Sequence, residues 1–286
     1  AMKWDEVVGL GEMMNFPGVM YGDPNIHAEL AATLNAGKTI TGHYSMPETG
    51  SGLNAYIASG IRCCHESIRK EDALAKMRLG MNAQMREGSA WHDVKETVKS
   101  ITENNIDTRF ATLISDDTHP NTLLQKGHLD YIVKRAIEEG VNPITAIQMV
   151  TINVAQCFDM GRDLGSIAPG KSADILIISD LTKVKVEKVF INGAEVAESG
   201  EMTAEIPAAD YPETAKNSVK LARPLQSEDF IMKTANPQAK KAVVRVMEVM
   251  EAKVGTNARE ITLDVQNGII MPDLDKDVVK AVVVER

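Results

Sequence analysis

Short apolar runs alternate with helically periodic stretches over the first 160 residues or so of the chain. The runs are Asp5–Glu12, Lys38–His43, Ile61–His65, Met81–Arg86 and Arg109–Asp116. Their brevity and flanking turn residues predict buried strands. Between them, Ile26–Ala36, Gly52–Gly60, Arg69–Gly80 and His92–Asn105 carry apolar residues at helical spacing, and Gly37, Gly60 and Gly80 stand where a left-handed C-cap is needed. The segment with Pro17, Gly18, Gly22, Asp23 and Pro24 reads as a loop. Two more helices, His128–Glu139 and Pro143–Phe158, follow the last strand. Strands joined through single helices imply an α/β fold with a parallel sheet and right-handed crossovers.

The pattern changes after residue 160. Residues 161–202 read as turns and short strands, and Asn192-Gly193 marks a hairpin. This is a small antiparallel β segment. Residues 203–224 are rich in Ala, Pro and charge, and read as a linker. Residues 225–286 mix strand-like runs (Phe230–Met232, Ala258–Val265, Val278–Val284) with a predicted helix over Pro237–Ala252, the makings of an α+β domain.

Composition narrows the function classes. The chain has 286 residues and a net charge of −9, which disfavours nucleic acid or an anionic membrane as partner. No apolar run approaches the roughly 18–20 residues of a membrane helix. Three cysteines, two of them adjacent at 63 and 64, do not form a disulfide framework, and a reducing cytoplasm is expected. The 15 methionines read as core filler.

Polar residues that carry chemistry fall at the predicted strand ends: Glu12, His43, His65 and the pair Asp116-Asp117. In a parallel barrel those ends converge on one face, where active sites lie. Imidazole is the commonest metal ligand, so two histidines closing consecutive strands suggest a metal centre. Blander roles exist for each residue: a helix-terminus charge for Glu12, an N-cap pair for Asp116-Asp117, a structural strand end for either histidine. His27, His92 and His128 lie near helix starts and read as solvated; Tyr56 reads as packing and Lys171 as a turn residue.

Several stretches then carry a resemblance: Gly9-Leu-Gly-Glu-Met-Met-Asn-Phe-Pro-Gly-Val19, Gly42-His43, Leu53–Ile61, His65-Glu66-Ser67, Ser115-Asp-Asp-Thr-His-Pro120 and Gly165–Leu176. Nearly the whole chain resembles the adenine deaminases of the amidohydrolase superfamily. The resemblance implies a partial (β/α)8 amidohydrolase barrel, its strands four to eight, in residues 1–160. A β-sandwich part (161–202), a linker (203–224) and the start of an α+β C-terminal domain (225–286) would follow. It implies Glu12, His43, His65 and Asp116 as metal ligands. Asp116, Asp117 and Glu66 would be catalytic, with Asp116 favoured over Asp117 as the acid at the metal, and His119 and Ser89 would be substrate contacts.

The implied activity of the parent enzyme is metal-dependent hydrolytic deamination of adenine to hypoxanthine and ammonia, a purine-salvage reaction. Two divalent ions per complete site (Mn, Fe or Zn) are implied, and a metal lowers the pKa of bound water from 15.7 to about 7. The Pro-Cys-X-X-Cys motif of the cytidine-type deaminases is absent. The family's His-X-His pair is absent too, so the chain reads as an internal fragment, inactive by itself. Five barrel units leave two unpaired edges, and a homo-oligomer is expected. The alternatives are an amidohydrolase acting on a cyclic amide, and a catalytically incomplete fragment or pseudoenzyme.

Overall fold

Five short strands lie side by side in chain order in the computed structural model, which describes residues 1–253 and 255–285. They are β1 (Gly9–Met13), β2 (Thr39–Gly42), β3 (Ile61–Cys64), β4 (Asn82–Arg86) and β5 (Ala111–Ile114). All four pairings are parallel. The helices between them are α1 (Phe16–Tyr21), α2 (Pro24–Asn35), α3 (Ser51–Ala58), α4 (Lys70–Arg78), α5 (Val94–Thr97) and α6 (Lys99–Thr102). Strands alternating with helices give the expected α/β sheet.

The helix limits follow local chemistry. Asp23 caps α2 by accepting from the Asn25 and Ile26 amides, with Pro24 as its first residue. The stretch read as a loop before it contains a helix, α1. Asn15 caps it through the Gly18 amide, and Gly22, at φ +78°, closes it. The Pro and Gly that suggested a loop are the start and stop of one short helix.

Beyond β5 come α7 (Pro120–Gln125), α8 (Leu129–Glu138), α9 (Pro143–Val150) and α10 (Ile152–Cys157). The helix expected over Pro143–Phe158 is broken at Thr151, where φ −125° and ψ −95° interrupt it within the β-branched run Val150-Thr151-Ile152. Two apolar clusters form the core. One joins Ala83, Met85, Ala111 and Leu113 to Val94, Val98, Ile132, Val133, Ala136 and Met149 from the helices. The other joins Ile40, Ile61 and Cys64 to Leu30, Leu53, Tyr56 and Met81. Met77, Met81, Met85 and Met149 are buried, as expected of filler, whereas Met14, Met202 and Met247 are exposed.

Next in the same unit is an antiparallel sheet of β6 (Ile175–Asp180), β7 (Lys185–Ile191), β8 (Ala194–Glu198) and β9 (Glu201–Met202). Asn192 (φ 50°) and Gly193 (φ 80°) form its hairpin turn. The chain divides into two compact units, residues 1–205 and 206–286.

The second unit corrects the sequence expectation. After a short helix, α11 (Glu213–Lys216), the segment predicted as a helix over Pro237–Ala252 contains strand β10 (Lys241–Val249). It pairs antiparallel with β11 (Thr256–Gln266), to which β12 (Ile269–Ile270) adds. Ala242, Val244 and Val246 on β10 pack with Ile261, Leu263 and Val265 on β11. Once a partner strand is present, this period-two alternation outweighs the helix-forming Lys, Ala, Met and Glu. Phe230–Met232 and Val278–Val284 form no ladder strand; Val278 makes one isolated bridge, to Asp273. Positions 254 and 286 of the expected 225–286 domain lie outside the described residues.

Candidate metal centre

Register places the two histidines together. Gly42 pairs with Cys64, so the next residue of each strand, His43 and His65, leaves adjacent strands side by side. Their rings meet edge-on, 4.9 Å between centroids and 77° between planes. The strands can approach so closely here because Gly42 has no side chain. A Cβ would lie 2.6 Å from Ile61 Cγ2 and 2.7 Å from the Cys63 carbonyl. Tyr56 of α3 ties the neighbouring ends: its hydroxyl donates to the Met13 carbonyl (2.6 Å) and accepts from the His43 amide (2.9 Å). The tyrosine read as packing is also the clamp that joins the ends of β1 and β2.

Glu12, on β1, completes a triangle. Its Oε2 lies 3.0 Å from His43 Nδ1 and 3.0 Å from His65 Nε2, and those two nitrogens are 3.1 Å apart. Three atoms that present lone pairs have thus converged. Burial lowers the pKa of His65, with Asp116 and Glu66 opposing and His43 reinforcing the fall. At neutral pH this imidazole is therefore neutral, the form that ligates metal. Two imidazole nitrogens and a carboxylate oxygen suit a borderline divalent cation, and the three side chains fit one.

A second cluster adjoins the first. Ligand atoms of His65, Glu66 and Asp116 lie within 4.8 Å of one another. Glu66 Oε1 is 3.8 Å from both His43 Nε2 and His65 Nε2. Asp116 sits in the left-handed region at φ +57°, a conformation that aspartate tolerates better than most residues. Its Oδ1 accepts from the Asp117 amide (2.7 Å), and its carboxylate reaches the cluster, whereas the Asp117 side chain is exposed and does not join it. Ser89 and His119 meet nearby. The Ser89 hydroxyl accepts from the His119 amide (2.8 Å) and donates to Thr122 (2.8 Å), so it braces the loop that carries His119.

Sequence reasoning passed over the cation of this cluster. Arg86, the last residue of β4, is buried among three carboxylates from separate segments. It contacts Glu66, donates to Asp116 Oδ2 (2.9 Å) and to Asp93 Oδ2 (2.8 Å), and lies 5.3 Å from the Trp91 ring. Lys76 of α4 was missed as well. Equally buried, it donates to the Glu66 carbonyl and to Ser67 Oγ (2.9 Å), and so braces the loop after β3. The available signal for Arg86 was its place: a polar residue ending a strand, like Glu12, His43 and His65.

Beside this network, Glu87 is buried, and one of its oxygens has no partner among the described residues. Burial raises its pKa, against the lowering effects of His92 and Arg135. His92, read as solvated, lies 3.0 Å from it. His128, read likewise, reaches Ser115 Oγ at 3.0 Å.

Residues 104–196 match the amidohydrolase family. The whole chain aligns with adenine deaminases of Clostridium botulinum (type A, 59% identity), Moorella thermoacetica (54%) and Mesorhizobium japonicum (46%). It covers 47%, 48% and 47% of these proteins, so the chain spans about half the length of the curated relatives it matches. Among solved structures, a β-aspartyl dipeptidase of Fervidobacterium islandicum AW-1 shares the fold at a TM-score of 0.54 and 17% identity, over 71% of this chain and 59% of that one. Along its whole length the chain is similar to adenine deaminases, and over residues 104–196 to the amidohydrolase family.

Proposed function

We propose that the protein carrying this chain hydrolyses adenine to hypoxanthine and ammonia with the help of divalent metal. The observation that carries the reading is the convergence of Glu12, His43 and His65 donor atoms at three adjacent strand ends, 3.0–3.1 Å apart. Support comes from the 45–60% identity to adenine deaminases along the whole chain. In this reading the five parallel strands are strands four to eight of an eight-stranded barrel. Glu12, His43, His65 and Asp116 would hold the metal, and the two clusters sharing His65 suit a pair of ions. Manganese, iron and zinc all fit imidazole and carboxylate donors.

A divalent metal held there supplies a water activated for attack at neutral pH. The chain's own residues handle protons and orientation. Asp116 accepts a proton from the attacking water and passes it on toward the purine. Glu66 lies between the histidines and Arg86, where it can align the exocyclic amine. His119, on the loop braced by Ser89, contacts the purine. In balance, a C6–O bond forms and the C6–N bond breaks. One water proton leaves with the amine as ammonia, and the other ends on the ring nitrogen of hypoxanthine.

We also assign the protein to the cytoplasm as a homo-oligomer. Three buried, free cysteines support the compartment, and among the described residues no helix is long and apolar enough to cross a membrane. The whole metal-loaded protein should release ammonia from adenine and should not open the ring of dihydroorotate or hydantoin. No ammonia from adenine would end this reading.

A further inference from the structure

We infer that Arg86 is a positioning residue whose buried guanidinium fixes Glu66 and Asp116 in their orientation beside the histidine pair. The inference rests on the proposed deaminase reading for what those carboxylates do, and on geometry alone for how they are held.

Three observations carry it. First, Arg86 is 1% exposed and gathers carboxylates from three segments: Glu66 after β3, Asp93 before α5 and Asp116 after β5. One nitrogen, Nη1, contacts both Glu66 Oε1 and Asp116 Oδ2, while Nε is held by Asp93. Asp93 therefore sets the plane of the fork, and the fork sets the other two. Second, Asp116 is fixed from both sides, with Oδ2 on Arg86 and Oδ1 on the Asp117 amide, and its backbone lies in the left-handed region at φ +57°. Third, both Glu66 oxygens meet the guanidinium, and the one on Nη1, Oε1, is also 3.8 Å from Nε2 of both histidines. The guanidinium is thus one carboxylate removed from each imidazole.

The chemistry calls for arginine. Three carboxylates gathered away from water repel one another strongly. A planar fork with donors pointing in fixed, separate directions holds all three at once, and the compact ammonium of lysine does not. Trp91 beside the guanidinium, 5.3 Å from its Cζ, restricts its tilt further. None of this requires Arg86 to touch substrate: it acts through Glu66 and Asp116.

The test uses the whole protein that carries this chain, with R86K and R86A compared to wild type. Each is followed by deamination kinetics and by titration of the metal-free form with Co(II), read in the visible spectrum. For R86K we expect kcat to fall about 10–100-fold, with KM within about threefold. R86A should lose as much and regain at least part of it when guanidinium ion is added at a non-denaturing concentration, but not with methylammonium. Both variants should alter the Co(II) band at unchanged stoichiometry.

Wild-type kcat and spectrum in R86K overturn the inference. So does a loss that guanidinium does not restore, accompanied by an unaltered Co(II) band and a lower melting temperature, since that is the signature of a merely structural residue. Should both variants fail to fold, D93N removes only the outer anchor. A changed Co(II) band and a smaller fall in kcat support the inference there, and wild-type values overturn it. If wild type releases no ammonia from adenine, the deaminase reading fails while the Co(II) spectra still decide what Arg86 does.

Discussion

Two charge clusters stand side by side at the ends of β1 to β5, and they solve opposite problems. Glu12, His43 and His65 bring one carboxylate and two imidazoles together without a cation of their own, and Glu12 is 42% exposed. Glu66, Asp93 and Asp116 surround a guanidinium whose side chain is 2% exposed. In the proposed reading the first cluster receives its positive charge from a metal, whereas the second carries its positive charge within the protein. Asp116 and Glu66 link the two: both reach the guanidinium and both lie with His65 in a group of donor atoms.

Breaking the first cluster should have the largest effect. His65→Ala removes the residue common to both ligand groups. Bound metal, measured by elemental analysis after dialysis, should fall below one ion per chain. Ammonia release from adenine should drop by more than the roughly 100-fold upper range for outer partners. Full metal content in this variant would show that the triangle is not the ligand set.

Damage to the second cluster should be milder and different in kind. Asp93→Asn leaves Arg86 charged but loosens its outer anchor. Activity should fall about 10–100-fold while metal content stays at the wild-type level. Equal loss of metal in the His65 and Asp93 variants would erase the distinction between the clusters.

The clamp beneath both should give a smaller effect still. Tyr56→Phe leaves the Met13 carbonyl and His43 amide without their partner, at a cost of about 1–3 kcal/mol. A thermal melt should register this as a drop of about 2–4 °C per kcal/mol, together with weaker metal binding. An unchanged melt would mean the hydroxyl is dispensable.

The smallest effect concerns pH. Burial raises the pKa of Glu87, so the folded state holds this proton above the pH at which the unfolded chain releases it. The stabilisation is complete below the unfolded value near 4.5 and is lost as pH rises through the folded value. Melting temperatures across pH 4 to 8 should therefore fall less steeply in Glu87→Gln than in wild type. Parallel curves would contradict this.

The sequence made the first cluster readable and left the second hidden, for a physical reason. Histidine or glutamate ending a buried strand is conspicuous, because such residues seldom occupy that place without a task. Arg86 stood out only as the end of a predicted strand, since nothing local reveals that Asp93, Glu66 and Asp116 close over it. Asp93 lies inside the predicted helix His92–Asn105, where nothing sets it apart from an ordinary helix charge. The parallel strands were legible because brief apolar runs between glycine-stopped helices leave few other arrangements. β10 was not, because Lys241–Val249 satisfies a helical composition and a strand alternation equally, and only the pairing Val244↔Ile261 and its neighbours decides between them. Val278–Val284 failed in the opposite sense. Its valines suggest a strand, but Val279, Val282, Val283 and Val284 are exposed and pair with no strand among the described residues.

The triangle of Glu12, His43 and His65 has one more consequence. Its three corners stand on or just beyond three neighbouring strands, so an ion bound there would act as a rivet through the sheet. The protein's resistance to heat then becomes a property of the solution as well as of the chain. A ligand present at 100 times its dissociation constant adds about 2.7 kcal/mol to the folded state. Trace metal in a buffer, or a chelator added to it, would move the melting point of an unaltered protein as far as a core mutation does.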